Sequence, residues 1–192
     1  MTVLVLGHNC TAITAIVKEC GDTTAECSDH VDTVCLRDNK IDFIISYGYR
    51  HIIGKPVIDF LKDRIINLHI SLLPWNRGAD PNLWSFLEDT PKGVSIHYID
   101  EGIDTGDIIV QKPITFERDG ETLATTYQKL QDQMIQLFAE SWPTIKQLRH
   151  GRYRQNGVGS YHRSSDKARY QHLLTEGWNT PINSLVGRGI VK

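Results

Sequence analysis

Residues 66–82 read INLHISLLPWNRGADPN. Apolar residues at 65, 66, 68 and 70 make a short strand-like run that carries Asn67 and His69. Side chains alternate across a strand, so Asn67 and His69 share one face. Pro74, an Asn76-Arg77-Gly78 turn and Pro81 then follow, a loop rich in backbone punctuation. Open α/β sheets place ligands at the C-terminal ends of their strands, and Asn67 and His69 stand near such an end. An Asn amide can donate to a developing oxyanion, and a His can move a proton near neutral pH. Two polar residues satisfied at a strand end would read the same way.

Outward from this strand, strand and helix signals alternate. Residues 3–6 (VLVL, ending in Gly7) and 41–46 (IDFIIS, ending in Tyr47-Gly48-Tyr49) read as buried strands. Residues 11–20 and 56–62 read as helices, the second opening on Pro56. Residues 21–29 are polar and read as a loop. Downstream, 81–88 suits a short helix, and 94–99 and 108–110 suit strands around a Gly/Asp-rich loop. Apolar residues at 123, 127, 130, 134, 137 and 138 form a helical stripe within 121–148, broken or kinked at Pro143. This alternation predicts an α/β protein with an open, mostly parallel Rossmann-like sheet. The expected organisation is a catalytic domain over 1–150 and a small polar, Gly-rich C-terminal appendage over 151–192, with one helix at 166–174 capped by Ser165.

The bulk numbers are those of a soluble globular chain: 192 residues, 40% hydrophobic, 23% charged and a formal net charge of −2. That balance gives no electrostatic case for nucleic acid, and no apolar run is long enough for a membrane span. Cys10, Cys20, Cys27 and Cys35 lack CxxC spacing and read as reduced thiols of a cytoplasmic protein. Neither they nor the eight His show metal-ligand spacing, so no metal is expected. The first turn, LGHNCTA, lacks GxGxxG, which removes the case for a nicotinamide dinucleotide. Asp104-Thr105-Gly106 is the triplet of aspartic proteases, but that chemistry needs a second aspartate and the chain has no second triplet. Asp104 instead lies between Gly102 and Gly106 after the Ser95/His97 strand, either as a turn residue or as a carboxylate that orients His69.

Taken together, Asn67-x-His69-x-Ser71-Leu72-Leu73-Pro74, then Gly78 and Pro81, then Gly93-x-Ser95-x-His97 with Asp104-x-Gly106-x-Ile108, resemble the folate-dependent formyltransferase family. The likeness covers roughly residues 41–140, and WNRGADPNLWS (75–85) is most similar to the nucleotide-sugar N-formyltransferases. The resemblance implies catalytic roles for Asn67, His69 and Asp104. It implies 10-formyltetrahydrofolate as formyl donor, held by Tyr47, His51, Ile52, His97, Asp100 and Gly102. The implied acceptor is an amino-dideoxy sugar linked to a nucleotide, dTDP first, contacted by Asn9, Asn76, Arg77 and Gly78. Arg77 would hold an anionic oxygen or pair with Asp80. Tyr161, His162 and Arg163 would meet base or phosphate, or belong to a solvated tail. A homodimer is a further expectation, with nucleic acid and membrane excluded as partners. Other amines, an aminoacyl group or glycinamide ribonucleotide among them, are the competing acceptors; formyl-folate hydrolysis and a non-catalytic binding protein are the competing functions. Only about 40 residues precede IDFIISYGYR, so the resemblance also implies a shortened N-terminal region in which a strand-helix unit is shortened or lost.

Overall fold

The apolar run at residues 3–6 is strand β1 (Thr2–Leu6), in which Val3 to Leu6 are all buried. A strand covered on both faces must be apolar throughout, which is why this run shows no alternation. The chain continues through helix α1 (Thr11–Glu19), strand β2 (Thr23–Cys27), helix α2 (Thr33–Asp38), strand β3 (Phe43–Ser46), helix α3 (Lys55–Leu61) and strand β4 (Ile65–His69). The computed structural model describes residues 1–8 and 10–189. Asn9 therefore lies outside the described residues.

Two elements in this stretch escape the sequence reading. Residues 21–29 contain β2, an edge strand of composition TTAEC whose residues are exposed or half-buried. An edge strand buries little, so it carries no apolar run and reads as a loop. Helix α2 is a short six-residue helix whose N-cap Asp32 accepts from Cys35 N at 2.8 Å. The region before β3 thus holds two strands and two helices.

A two-residue strand β5 (Arg77–Gly78), helix α4 (Pro81–Leu87), strands β6 (Gly93–Tyr98) and β7 (Ile108–Pro113), helix α5 (Leu123–Ile145) and strand β8 (Tyr161–His162) complete the regular elements. The main sheet has the order β2-β1-β3-β4-β6-β7, and β2, β1, β3 and β4 pair in parallel. Ile99 N–H donates to Ile65 O while Asn67 lies opposite His97, so β6 runs against β4. β7 turns back beside β6, with Tyr98 N–H bonded to Asp107 O. β5 and β8 form a separate parallel ribbon. Residues 166–173, expected as an α-helix capped by Ser165, are 3₁₀ in character, and Ser165 makes no capping bond.

The chain forms two compact units, interleaved in sequence. The first comprises 1–69, 96–110 and 135–154, and the second 70–95, 111–134 and 155–192. This division differs from the expected boundary at residue 150: residues 155–192 belong with two central segments. In the first unit Leu4, Leu6, Leu36, Ile44, Val57 and Ile65 form a core cluster, and Trp142 packs edge-on against Phe43 at 5.1 Å. In the second, Leu83, Phe86 and Leu87 of α4 pack with Leu123, Ile182 and Leu185. Each such side chain stabilises its unit by roughly 1.5–3 kcal/mol through burial.

Candidate active site

Asn67 and His69 stand at the end of β4 as the alternation predicts, and Asp104 comes from the loop between β6 and β7. Asp104 has φ +53°, a left-handed conformation that turns the chain sharply. The loop enforces it. Asp100 Oδ1 accepts from Gly102 N at 3.1 Å and from Thr105 Oγ at 2.6 Å. Gly106 lies so close to the chain that a Cβ there would sit 1.8 Å from Tyr98 O. The glycine allows the two ends of the loop to close, and the closed loop delivers the carboxylate.

Asp104 Oδ1 accepts from Asn67 Nδ2 at 3.1 Å, and Oδ2 lies 3.6 Å from His69 Nδ1. Asn67 Nδ2 also lies 3.2 Å from His97 Nε2. The protons on His97 follow from donor accounting. Its Nδ1 is 2.7 Å from Tyr98 O, which can only accept, so Nδ1 carries hydrogen. Its Nε2 meets an amide that can only donate, so Nε2 presents its lone pair. Both amide hydrogens of Asn67 are thereby directed, one to His97 and one to Asp104. His97 is only 2% exposed and both its ring nitrogens are engaged within the protein. It holds Asn67 in place, accepting its amide N–H at Nε2. His69 and Asp104 side chains are 8% and 13% exposed, enough for a small reactant to reach them.

The other expected donor-side residues separate into two kinds. Asp100 and Gly102 shape the Asp104 loop. His51 meets His30 at a tilt, 4.0 Å between ring centroids and 48° between planes, and lies edge-on to Tyr49, while Ile52 is 78% exposed. Ile103, on the Asp104 loop, is also exposed. The exposed Ile52 and Ile103 side chains offer apolar contact to a planar heteroaromatic ring, which is compatible with a pterin.

In the second unit, Asn76 is fully buried. Its Nδ2 donates to Thr90 Oγ1 at 2.9 Å, and its Oδ1 accepts from Ser160 Oγ at 3.2 Å. This bonding makes Asn76 the latch of its turn. Gly78 has φ +88°, and a Cβ there would lie 2.3 Å from His162 O, so only glycine permits the β5–β8 ribbon. Asp80 pairs with Lys167 at 3.0 Å, leaving the Arg77 guanidinium free of the carboxylate considered for it. Ser95 supports the backbone, donating to Ser71 O at 2.6 Å and accepting from Leu73 N at 3.1 Å.

Residues 12–141 match the family described as formyl transferase. The chain belongs to that family. Among solved structures it is similar to the formyltransferase PseJ from Anoxybacillus kamchatkensis in complex with UDP-4,6-dideoxy-4-formamido-L-AltNAc and tetrahydrofolate. The two are 47% identical with a TM-score of 0.94, over 99% of this chain and 100% of that one. A 4-N formyltransferase from Francisella tularensis, 23% identical with a TM-score of 0.74, covers 88% of this chain and 78% of its own, and shares the fold. A methionyl-tRNA formyltransferase of Prochlorococcus marinus subsp. pastoris is 41% identical over 113 residues, 58% of this chain and 34% of its own length. The chain thus spans about a third of the curated relatives it matches. No helix among the described residues is long and apolar enough to cross a membrane, and all four cysteines are free. Burial pushes the Cys10 thiol up to about 11, so it stays protonated and inert at neutral pH.

Proposed function

We propose that this chain is an N-formyltransferase that moves a formyl group from 10-formyltetrahydrofolate to the amine of a nucleotide-linked amino-dideoxy sugar. The observation that carries the reaction class is the Asp104 carboxylate joined to Asn67 through one oxygen and set beside His69 with the other. The whole-length likeness to PseJ supports the acceptor class, and its UDP sugar favours UDP over the dTDP expected from sequence.

When bound, the folate supplies an activated formyl carbon. Tyr47, His51 and Ile52 would hold it. In the bound state Asn67 would turn one of its two amide N–H groups, held in the free protein by His97 and Asp104, to the oxygen on which negative charge develops, a contribution of about 3 kcal/mol for one such donor. His69 would move a proton at its ring, and Asp104, 3.6 Å from its Nδ1, would orient that ring. An attacking amine must lose a proton, and the His69–Asp104 pair is the group positioned to take it.

The test is incubation of the purified protein with 10-formyltetrahydrofolate and a panel of UDP-, dTDP- and GDP-linked amino sugars, with mass spectrometry for the gain of one formyl group. Formylation of a UDP 4-amino sugar is the expected result. Folate turnover with no formylated sugar overturns the acceptor assignment, with methionyl-tRNA, named by the curated relatives, the next acceptor to assay.

A further inference from the structure

Residues 71–76 leave β4 for β5 without regular structure, yet side chains remote in sequence pin their backbone. Leu73 gives its N–H to Ser95 Oγ at 3.1 Å, and its carbonyl accepts from Gln111 Nε2 at 2.9 Å. A carbonyl can only accept, so Gln111 must turn its NH₂ this way. Gln111 Nε2 also donates to Ser95 Oγ at 2.7 Å, and Ser95 Oγ donates to Ser71 O at 2.6 Å. The accounting closes. Ser95 gives its one hydrogen to Ser71 and accepts twice, and the two hydrogens of the Gln111 amide go to Leu73 and Ser95. Ser71, Leu73 and Ser95 are buried, so bulk water does not compete for these bonds.

The downstream half of the same loop is held from another direction. Ser160 N–H donates to Pro74 O at 3.3 Å, Ser160 Oγ accepts from Asn76 N at 2.9 Å, and Ser160 O accepts from Arg77 N at 3.0 Å. Inside the loop, Ser71 Oγ donates to Trp75 O at 2.7 Å and Trp75 N–H to Leu72 O at 3.1 Å. A loop bonded at nearly every residue presents one surface rather than many, and little ordering entropy is left to lose when a ligand docks on it. Gln111 stands on β7, apart from Asn67, His69 and Asp104, and its amide ties Leu73 to that strand. Removing the amide leaves the Leu73 carbonyl and one lone pair of Ser95 without these partners in a buried place, and the upstream half of the loop is released.

We propose that Gln111 is a positioning residue for the acceptor: it fixes the upstream half of loop 71–76, and with it the surface that the loop offers to the acceptor. The assignment rests on the formyl-transfer reading above and adds to it a residue that acts through Leu73 rather than on the reacting atoms. Its loss is therefore felt in the KM of the acceptor, and neither in folate binding nor in proton transfer at His69.

Steady-state kinetics with the nucleotide sugar that the panel selects, and fluorescence titration of the folate, test this on the unaltered protein, Gln111→Met and Gln111→Glu. Gln111→Met keeps the length of the side chain and removes its donors. It is expected to raise the acceptor KM about tenfold, with kcat within about threefold and folate affinity unchanged. The glutamate carries a signature that a general packing defect does not. Ionised, it has no hydrogen for Leu73 O or Ser95 Oγ; protonated, it donates once. The KM of Gln111→Glu relative to the unaltered protein is therefore expected to fall as pH drops from about 7 towards 5, while the ratio for Gln111→Met stays level. An unmoved acceptor KM in Gln111→Met overturns the proposal, as does a loss of kcat and folate affinity in equal measure, which would make Gln111 a general support of the fold. A level ratio for Gln111→Glu overturns it too. If the unaltered protein formylates no nucleotide sugar, that reading falls by itself, and the same split measured on methionyl-tRNA decides the role of Gln111. Hydrogen exchange of residues 71–76 needs no acceptor: faster exchange in Gln111→Met is expected, and equal protection in the two proteins overturns the brace.

Discussion

Asn67 and His97 face each other across β4 and β6, Nδ2 to Nε2 at 3.2 Å, and the His97 ring is pinned from behind by Tyr98 O at 2.7 Å. The tautomer set by that backbone carbonyl decides which way the Asn67 amide can point. Replacing Asn67 by Ala removes the oxyanion donor and is expected to lower kcat about 10²–10³-fold. His97→Ala loses the anchor alone and has a smaller effect. The double variant should be no slower than Asn67→Ala, because the two act as one unit. Steady-state kinetics of the three proteins check this; additive losses would show that His97 acts independently of Asn67.

His69→Ala takes away the proton carrier beside Asp104. The expected loss in kcat is about 100-fold or more. Folate affinity, read by fluorescence titration, should change little. Turnover at the unaltered rate would refute the assigned mechanism.

Gly106→Ala tests the loop rather than the chemistry. The new Cβ meets backbone at Tyr98 O, where no flexible side chain can yield. The expected cost is about 1–3 kcal/mol from forced backbone movement, read by denaturant titration, with formyl transfer falling because Asp104 is displaced. Full activity and unaltered stability would mean that the loop closes by another route.

Acid stability has a specific source in the first unit. Burial pushes the Asp22 carboxyl up, but its hydrogen bonds with Lys146 (2.9 Å) and the N-terminal amine (3.2 Å) outweigh burial and hold it below its ordinary 3.8. A depressed folded value means that the stabilisation is fully present above 3.8 and is lost as pH falls through the folded value. Asp22→Asn is therefore expected to melt lower at pH 7, by the equivalent of about 1.5–3 kcal/mol, with the gap closing towards pH 3 and below. Melting curves across that range decide it; a gap that persists undiminished in acid assigns the effect to packing.

The strands with continuous apolar runs, β1, β3 and β4, were legible because burial on both faces demands such runs. So was the α5 stripe. β2 was not, since an edge strand that buries little has no such signature. The side chains proposed as catalytic, Asn67, His69 and Asp104, were legible as types and as a pattern. Their partners were not. Ser160 holds Asn76 from 84 residues away, and Thr90 meets the same amide. The step from exposed Tyr161 to buried His162 is the local mark of strand β8, readable only if the segment is taken as a strand rather than a tail.

The amino-acid sequence by itself determined the α/β class, the run of apolar strands, the kinds of group at Asn67, His69 and Asp104, and the family to which the chain belongs. Short-range periodicity and ordered motifs carry that much because each depends on neighbours a few residues apart. Only the tertiary structure decided which hydrogen each polar group gives and receives. It set His97 against the Asn67 amide, latched Asn76 to Ser160 and Thr90, gave Asp80 to Lys167, and set Arg77 beside Tyr161. Those outcomes depend on distances between residues remote in sequence, and a buried polar group takes whichever partner the closed fold brings within about 3 Å.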